Sequence, residues 1–465
     1  MKKILLILFS VTLFSLSMVS CSDDDDFSNV EVTNSELRNI LKDNGYTFTE
    51  QGQLVQNDKV LNTTSLNLSG TKISDLSDLD VLPNLTEVDL SDNGYGPTFD
   101  FSVLPSTLTG VILEGNDIYE FTGLVNVVTA ENGDETVTEL QTLTKLYLPE
   151  SAKYDCRQIV YFYEKNESEI EAGTVDMKIE NSGGSLQAYT TLREVPDDNA
   201  RSQLQAAFPS VFDGDNIDIS KRITSATESV KMIYVQSEDV DGFQYILHNR
   251  GYSGTYCALV SSADEADEIS YLKIDSTICK LALKNIDTPN GIDFSNAKSI
   301  AFVTMNGNPS ITTIDFSYSE LMGQRDNLAT EFSVLDNGSY IDIEECPKLT
   351  TIKFPEKTNK LGYLTLINLP LLNSLDLSNL ETMLSLSILK LPNCEISLLT
   401  PDYFVAGYEK NNEDGRMLFV IDEDIYNKTG TKNFLDNYHE NLKRIPKYYN
   451  GVNISYDWTA DYSDE

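Results

Sequence analysis

The chain has 465 residues, with 34 Lys and Arg against 73 Asp and Glu, and a formal net charge of −39. That charge argues against nucleic acid, whose binding rests on Lys and Arg releasing phosphate counterions, and against docking on anionic lipid. A hydrophobic fraction of 40% and a charged fraction of 23% are ordinary for a globular chain, so it is not disordered overall.

Lys2 and Lys3 open the sequence, and an apolar run from Ile4 to Met18 follows. The run is shorter than the ~20 residues of a membrane-spanning helix and suits the apolar region of a secretory signal. It ends Met18-Val19-Ser20-Cys21. This resembles the bacterial lipoprotein signal, in which small residues precede a Cys that is diacylated and becomes the mature N-terminus. The family usually has Leu where Met18 stands. The resemblance implies a signal peptide over 1–20 and lipidation of Cys21. Ser22 and then Asp23, Asp24, Asp25 and Asp26 resemble the surface-export signal of Bacteroides-type lipoproteins. Four adjacent carboxylates also repel one another and keep the tether, residues 21–33, extended. The implied location is the bacterial outer membrane, facing outward, with the lipid as the only membrane contact.

The remaining cysteines, Cys156, Cys257, Cys279, Cys346 and Cys394, are odd in number and scattered. No C-x-x-C occurs, so neither a zinc knuckle nor a redox motif is indicated. A disulfide is permitted in this compartment, and the spacing assigns none.

A helix is expected after Ser35, read as its N-cap, with Leu37, Ile40 and Leu41 at helical spacing. Repeats follow. Leu85-Thr-Glu-Val88-Asp-Leu90-Ser-Asp-Asn93-Gly-Tyr95 aligns with Leu108-Thr-Gly-Val111-Ile-Leu113-Glu-Gly-Asn116-Asp-Ile118 in the frame L-x-x-L-x-L-x-x-N-x-L. Leu66, Leu68 and Ile73 fit the frame upstream. Leu143, Leu146 and Leu148 fit it after an insertion over roughly 126–142. The L-x-L core suits a short strand with alternate residues inward. The Asn amide can serve the backbone of the loop that follows. One such unit cannot bury its own apolar edge, so units must stack.

This frame resembles the leucine-rich-repeat family. A looser array resembles it too: Ile311-Thr-Thr-Ile314-Asp-Phe316, Leu349-Thr-Thr-Ile352-Lys-Phe354, Leu372-Asn-Ser-Leu375-Asp-Leu377 and Leu386-Ser-Ile-Leu389-Lys-Leu391. Ile341/Ile343 and Leu364/Leu366 fall between those segments and read as second strands on the outer side of each coil. Cys394 and Ile396 sit where the frame expects Asn and Leu. Glu345-Cys346-Pro347-Lys348-Leu349, and the ending Phe419 to Asp424 with its helix, are similar to the BspA-like subgroup of bacterial leucine-rich repeats. The implied fold is an α/β solenoid of leucine-rich repeats of about 22–23 residues, in two modules with helical caps. The expected divisions are a cap and first array over 34–150, a closing helix and linker over 151–194, a second cap and looser array over 195–400, and a C-terminal cap over 401–465. A helix is expected around Arg157–Lys165 and another after Val195-Pro196. Residues 223–300 read as strands without a clear frame.

Catalytic motifs are wanting. His248 and His439 are the only histidines, and no G-x-S-x-G, H-E-x-x-H or phosphate-cradling Gly loop occurs. His248 lies nine residues before Cys257, and the pair reads as a surface His and a structural Cys. Asp213-Gly-Asp215-Asn-Ile-Asp218 resembles half of a calcium loop but reads as a turn. No catalytic residue, metal or cofactor is expected.

The side chains beside the L-x-L leucines are expected to share one concave binding face. They are Ser65, Asn67, Glu87, Asp89, Ile112, Glu114, Lys145 and Tyr147 in the first array, and Thr313, Asp315, Thr351, Lys353, Ser374, Asp376, Ile388 and Lys390 in the second. The strongest ligand candidates are Glu87, Asp89, Ile112, Glu114, Lys145, Tyr147, Lys353, Asp376 and Lys390. The expected role is a non-catalytic cell-surface protein that recognises an extracellular protein, as some BspA-like relatives do. The alternative is a glycan-binding accessory lipoprotein in polysaccharide capture. A face of mixed charge with few aromatics favours a protein ligand.

Overall fold

The computed structural model describes residues 29–130, 135–322, 339–356, 361–377, 383, 385–397, 417–443, 448–449, 452–453 and 456–462. Cys21 and Asp23 to Asp26 lie outside them, as do residues 401–416 of the expected C-terminal cap.

Helix α1 (Ser35–Asp43) begins one residue before its expected place, because Asn34 is the cap. Its Oδ1 accepts the Leu37 N–H at 3.0 Å. Leu37 and Leu41 are buried on one stripe and join the core of the strands that follow. Those strands are β1 (Ser65–Asn67), β2 (Glu87–Asp89), β3 (Thr98–Asp100), β4 (Gly110–Ile112), β5 (Glu120–Thr122), β6 (Val125–Thr129), β7 (Glu135–Glu139) and β8 (Lys145–Leu148). β1, β2, β4 and β8 pair in parallel in that order, with Leu66, Val88, Val111 and Leu146 in one buried line. β3 and β5 form a separate two-stranded parallel ladder, and the insertion is the antiparallel hairpin β6–β7.

The two asparagines of the frame tie neighbouring turns together. Asn116 Nδ2 donates to the carbonyls of Leu90, Leu113 and Glu114 at 3.1, 2.9 and 3.2 Å. Its Oδ1 accepts the N–H groups of Asn93, Gly94 and Tyr95 at 3.1, 2.9 and 3.0 Å. Asn93 Nδ2 likewise serves Leu68, Leu90 and Ser91. Both side chains are buried, so these contacts satisfy loop groups that water does not reach.

Residues 151–194 do more than close and link. Helix α2 (Gln158–Lys165) is followed by β9 (Asp176–Glu180) and β10 (Leu186–Ala188). β9 extends the first sheet in parallel beside β8, and β10 ends it antiparallel. The sequence offered no Leu-Asn frame here, only the alternation of Met177 and Ile179. Helix α3 (Asp198–Ala207) is capped by Asp197, which accepts the Asn199 and Ala200 N–H groups at 2.8 Å each. The Asp213 to Asp218 segment is a β-hairpin turn, with Gly214 at φ +60°.

A nine-stranded sheet then begins within the frameless stretch. Its strands include β11 (Ile233–Ser237), against which α3 packs, β12 (Tyr256–Ser261), β13 (Lys280–Lys284) and β14 (Phe302–Asn306). β15 (Thr313–Asp315) lies apart from it. β16 (Ser339–Glu344), β17 (Thr351–Lys353), β18 (Leu361–Ile367), β19 (Ser374–Asp376), β20 (Ser385–Leu389), β21 (Glu395–Ser397) and β22 (Met417–Ile421) follow. The sheet runs β11-β12-β13-β14-β16-β18-β20-β22 in parallel and ends on Leu442–Lys443. Ile233, Cys257, Leu281, Val303, Ile341, Leu364, Leu386 and Phe419 share one buried register line.

This topology corrects the expected roles of the second array. Ile341/Ile343 and Leu364/Leu366, expected as second strands on the outer side of each coil, lie in the nine-stranded sheet that forms the main strand row. The Thr-Ile-Asp, Thr-Ile-Lys and Ser-Leu-Asp strands lie in two-stranded ladders, β15 with β17 and β19 with β21. The Leu386 segment, read as their equivalent, is in the large sheet. Both strand rows alternate inward and outward at a similar interval, so a three-residue match cannot tell one row from the other.

The arrays meet through tyrosines. Tyr119 stacks on Tyr154 at 5.9 Å and lies 5.0 Å from Tyr271, and Tyr154 stacks on Tyr245 at 5.5 Å. The Tyr154 hydroxyl donates to Asp241 at 3.0 Å, and Lys273 of the second array pairs with Glu120 of the first. Helix α2 belongs to both cores. Ile159 and Phe162 pack into the first, while Val160 and the preceding Cys156 pack into the second. Among the C-terminal residues described, Trp458 is buried against Phe419 and donates its Nε1–H to the Phe419 carbonyl at 3.1 Å. Tyr456 and Tyr426 both donate to Asp461. These aromatics pack the end of the chain.

Candidate binding face

Side chains opposite the buried line of the first sheet form two rows. One runs Ser65, Glu87, Gly110, Lys145, Asp176, and the other Asn67, Asp89, Ile112, Tyr147, Lys178. All six first-array candidates are on or beside this face, and all are half-buried. Glu87 and Lys145 are paired at 3.0 Å, although β4 lies between their strands. Tyr147 stands between two ammonium groups, with Lys145 and Lys178 at 5.0 and 4.8 Å from the ring centre. Its hydroxyl donates to Asp176 Oδ2 at 2.5 Å, and Lys178 pairs with the same oxygen at 3.0 Å. Burial raises the Asp176 carboxyl, but the hydrogen bonds from Tyr147 and Lys178 outweigh it and hold the group below the usual carboxylate range.

The other end of the face is acidic. Asp89 Oδ1 accepts the Ser91 N–H at 3.0 Å, and Glu180 accepts the Gly115 N–H at 2.7 Å. Partial burial, with the Glu180, Asp89 and Asp92 charges around it, raises the Glu114 carboxyl above its ordinary value. Ile112 sits between the basic and acidic parts as the apolar element. The face therefore holds fixed charges of both signs, a clamped aromatic ring and one aliphatic group. Such a surface can recognise a partner without ordering many of its own side chains.

The second-array candidates do not extend this row. Lys353 on β17 pairs with Asp315 of β15 at 2.8 Å. Asp376 is exposed on β19, in the other two-stranded ladder. Lys390 follows β20 with φ +58°, and its N–H donates to Asp422 at 2.5 Å. Ile388, expected on the open face, is wholly buried, since it occupies an inward line of the large sheet. Asp176, Lys178 and Glu180 were missed because they stand in a segment read as linker. The alternation Asp176-Met-Lys-Ile-Glu180 was the signal that could have found them.

His248 and Cys257 do not form a nucleophile pair. His248 Nδ1 faces Asp275 at 3.6 Å, while Cys257 is buried inside β12, where desolvation pushes its thiol up to about 12. His439 stacks on Tyr462. No family model matches the chain, and no curated protein matches it.

Proposed function

We propose that the chain is a non-catalytic recognition protein that binds an extracellular protein through the outward face of its first sheet. The observation that carries this reading is the Glu87–Lys145–Tyr147–Lys178–Asp176 network, which fixes one aromatic ring among charges of both signs on the outward face. Interfaces favour tyrosine in a fixed position and charges arranged to select a complementary partner. Sequential parallel strands, several of them 22 to 24 residues apart, support reading both arrays as leucine-rich-repeat solenoids of the BspA-like kind. The motif ending in Cys21 and the acidic run after it support a lipid anchor on the outer face of a bacterial outer membrane.

The test is binding of the purified Cys21→Ser chain to immobilised matrix proteins, mucins and polysaccharides. Binding to a protein, lost in Glu114→Lys and Tyr147→Ala but kept in Asp376→Lys, is expected. Binding to polysaccharide alone replaces the protein reading with glycan capture.

A further inference from the structure

Between the two arrays lies a cavity of about 260 Å³, apart from the face just described. Its wall comes from β5, the segment entering α2, and residues of the second array between Gln244 and Asn296. Tyr119, Phe121, Tyr154 and Tyr271 supply the apolar part. The charges of the wall are already matched. Lys273 is on Glu120, and Asp275 gathers Arg157 Nη2 at 3.3 Å, His248 Nδ1 at 3.6 Å and Asn296 Nδ2 at 3.3 Å. Asp155 stands behind the wall as part of the fold, accepting the N–H groups of Phe121, Arg157 and Ile159.

Gln244, His248 and Asn296 each keep one polar atom with no partner among the described residues. Gln244 Oε1 accepts the Gly242 N–H at 3.0 Å, which leaves Nε2 as a donor. With Nδ1 turned to Asp275, His248 offers Nε2. Asn296 Nδ2 serves Asp275, which leaves Oδ1 as an acceptor. This is a mixed set of donors and acceptors beside aromatic carbon.

We infer that this cavity binds a neutral sugar, a mono- or disaccharide, with its ring against the tyrosines and its hydroxyls on Gln244, His248 and Asn296. A hydroxyl both donates and accepts, so it meets such a set where an ion or a hydrocarbon does not. An ionised ligand would have to break a matched pair or enter without a counter-charge. A second cavity of about 210 Å³ shares Tyr119, Tyr154, Gln244 and Tyr271, and is otherwise lined largely by carboxylates, including Asp239, Asp241 and Asp267. It adds to the bias against acidic sugars. The inference uses residues that the protein-binding face does not, so either can fail alone.

The experiment is saturation-transfer NMR with calorimetry on the full purified chain, using methyl glucoside, methyl galactoside, methyl mannoside and glucuronate. Saturable millimolar binding of a neutral glycoside is expected, weakened about tenfold or more in Gln244→Ala. Gln244 is buried, so Thr122→Trp is the second variant. Thr122 is an exposed member of the wall, so a Trp there adds bulk at the rim of the cavity without entering the core. Loss of binding in folded Thr122→Trp supports the assignment. Silence toward all four sugars, binding of glucuronate alone, or binding untouched in both folded variants overturns it.

Discussion

Glu87 and Lys145 form their ion pair across a third strand, and Gly110 is the residue that lies between them. Neighbouring strands stand about 4.8 Å apart, so the pair must bridge roughly 10 Å of sheet. A Cβ at Gly110 would lie 3.0 Å from Glu87 Cγ and 3.2 Å from its Oε2. The missing side chain is thus the channel through which Glu87 leans toward Lys145. Glycine inside a strand is otherwise unfavourable, and here it marks a close approach.

The first prediction concerns that channel. In the wild type, a double-mutant cycle between Glu87 and Lys145 should give a coupling of up to about 1 kcal/mol, as for partly exposed pairs. In the Gly110→Val background it should fall near zero, while overall stability changes by less than about 1 kcal/mol. Urea denaturation measures both. Equal coupling in the two backgrounds would remove Gly110 from this role.

Asn116 should be among the most sensitive polar positions of the first array. Asn116→Ala leaves three backbone N–H groups and three carbonyls without their shared partner, a loss of roughly 3–5 kcal/mol. Asn116→Asp keeps an acceptor for Asn93, Gly94 and Tyr95 but cannot donate, so at neutral pH it too should destabilise. A urea midpoint unchanged in Asn116→Ala would contradict the loop contacts.

A pH dependence follows from Asp267 at the joint between the arrays. Burial, with the charges of Asp239 and Asp241 adding to it, raises its carboxyl to about 6 against the opposing Val240 N–H. The folded state then holds a proton that the unfolded chain releases, in the window between the ordinary value of 3.8 and about 6. Lowering the pH from 7 through this window should favour the fold at this site by about 1 kcal/mol, after discounting for partial exposure. Asp267→Asn should remove that contribution. Parallel stability profiles for wild type and variant would refute it.

The thiols offer a simple reactivity test. All five described cysteines are buried, and none is in a disulfide. Desolvation pushes Cys156 and Cys257 up to about 12 and Cys346 and Cys394 up to about 11. With Cys21 replaced by Ser, a thiol reagent near pH 8 should label nothing in the native chain and all five after denaturation. Native labelling of Cys257 would reopen a nucleophilic reading of its strand.

The first sheet was legible because Leu66, Val88, Val111 and Leu146 recur with Asn93 and Asn116, and the loop needs that amide as much as the core needs the leucines. The large sheet was half legible. Ile233, Cys257, Leu281 and Val303 fill one line with four different residues, so nothing but alternation betrays them. Segments such as Thr351-Ile-Lys353 look like the first-array strands yet lie in a different ladder, because inward–outward alternation carries no label for the row it serves. The outward positions of β2, β4 and β8 follow from the repeat frame, whereas β9 lacks the frame and its outward residues did not stand out. The cavity was invisible, since Tyr119, Tyr154, His248, Tyr271 and Asp275 come together only when the arrays meet.

Helix α2 sets a limit on how this chain can be divided. Ile159 and Phe162 face one core and Val160 the other, within a single turn. A chain ended after β10 keeps the whole helix but exposes Val160 and Cys156 to water. A chain begun at α3 loses the surface that covers Tyr245. Neither half carries a finished boundary, so heat should melt the protein in one joint transition, and a gene cut at this joint should yield two aggregation-prone fragments.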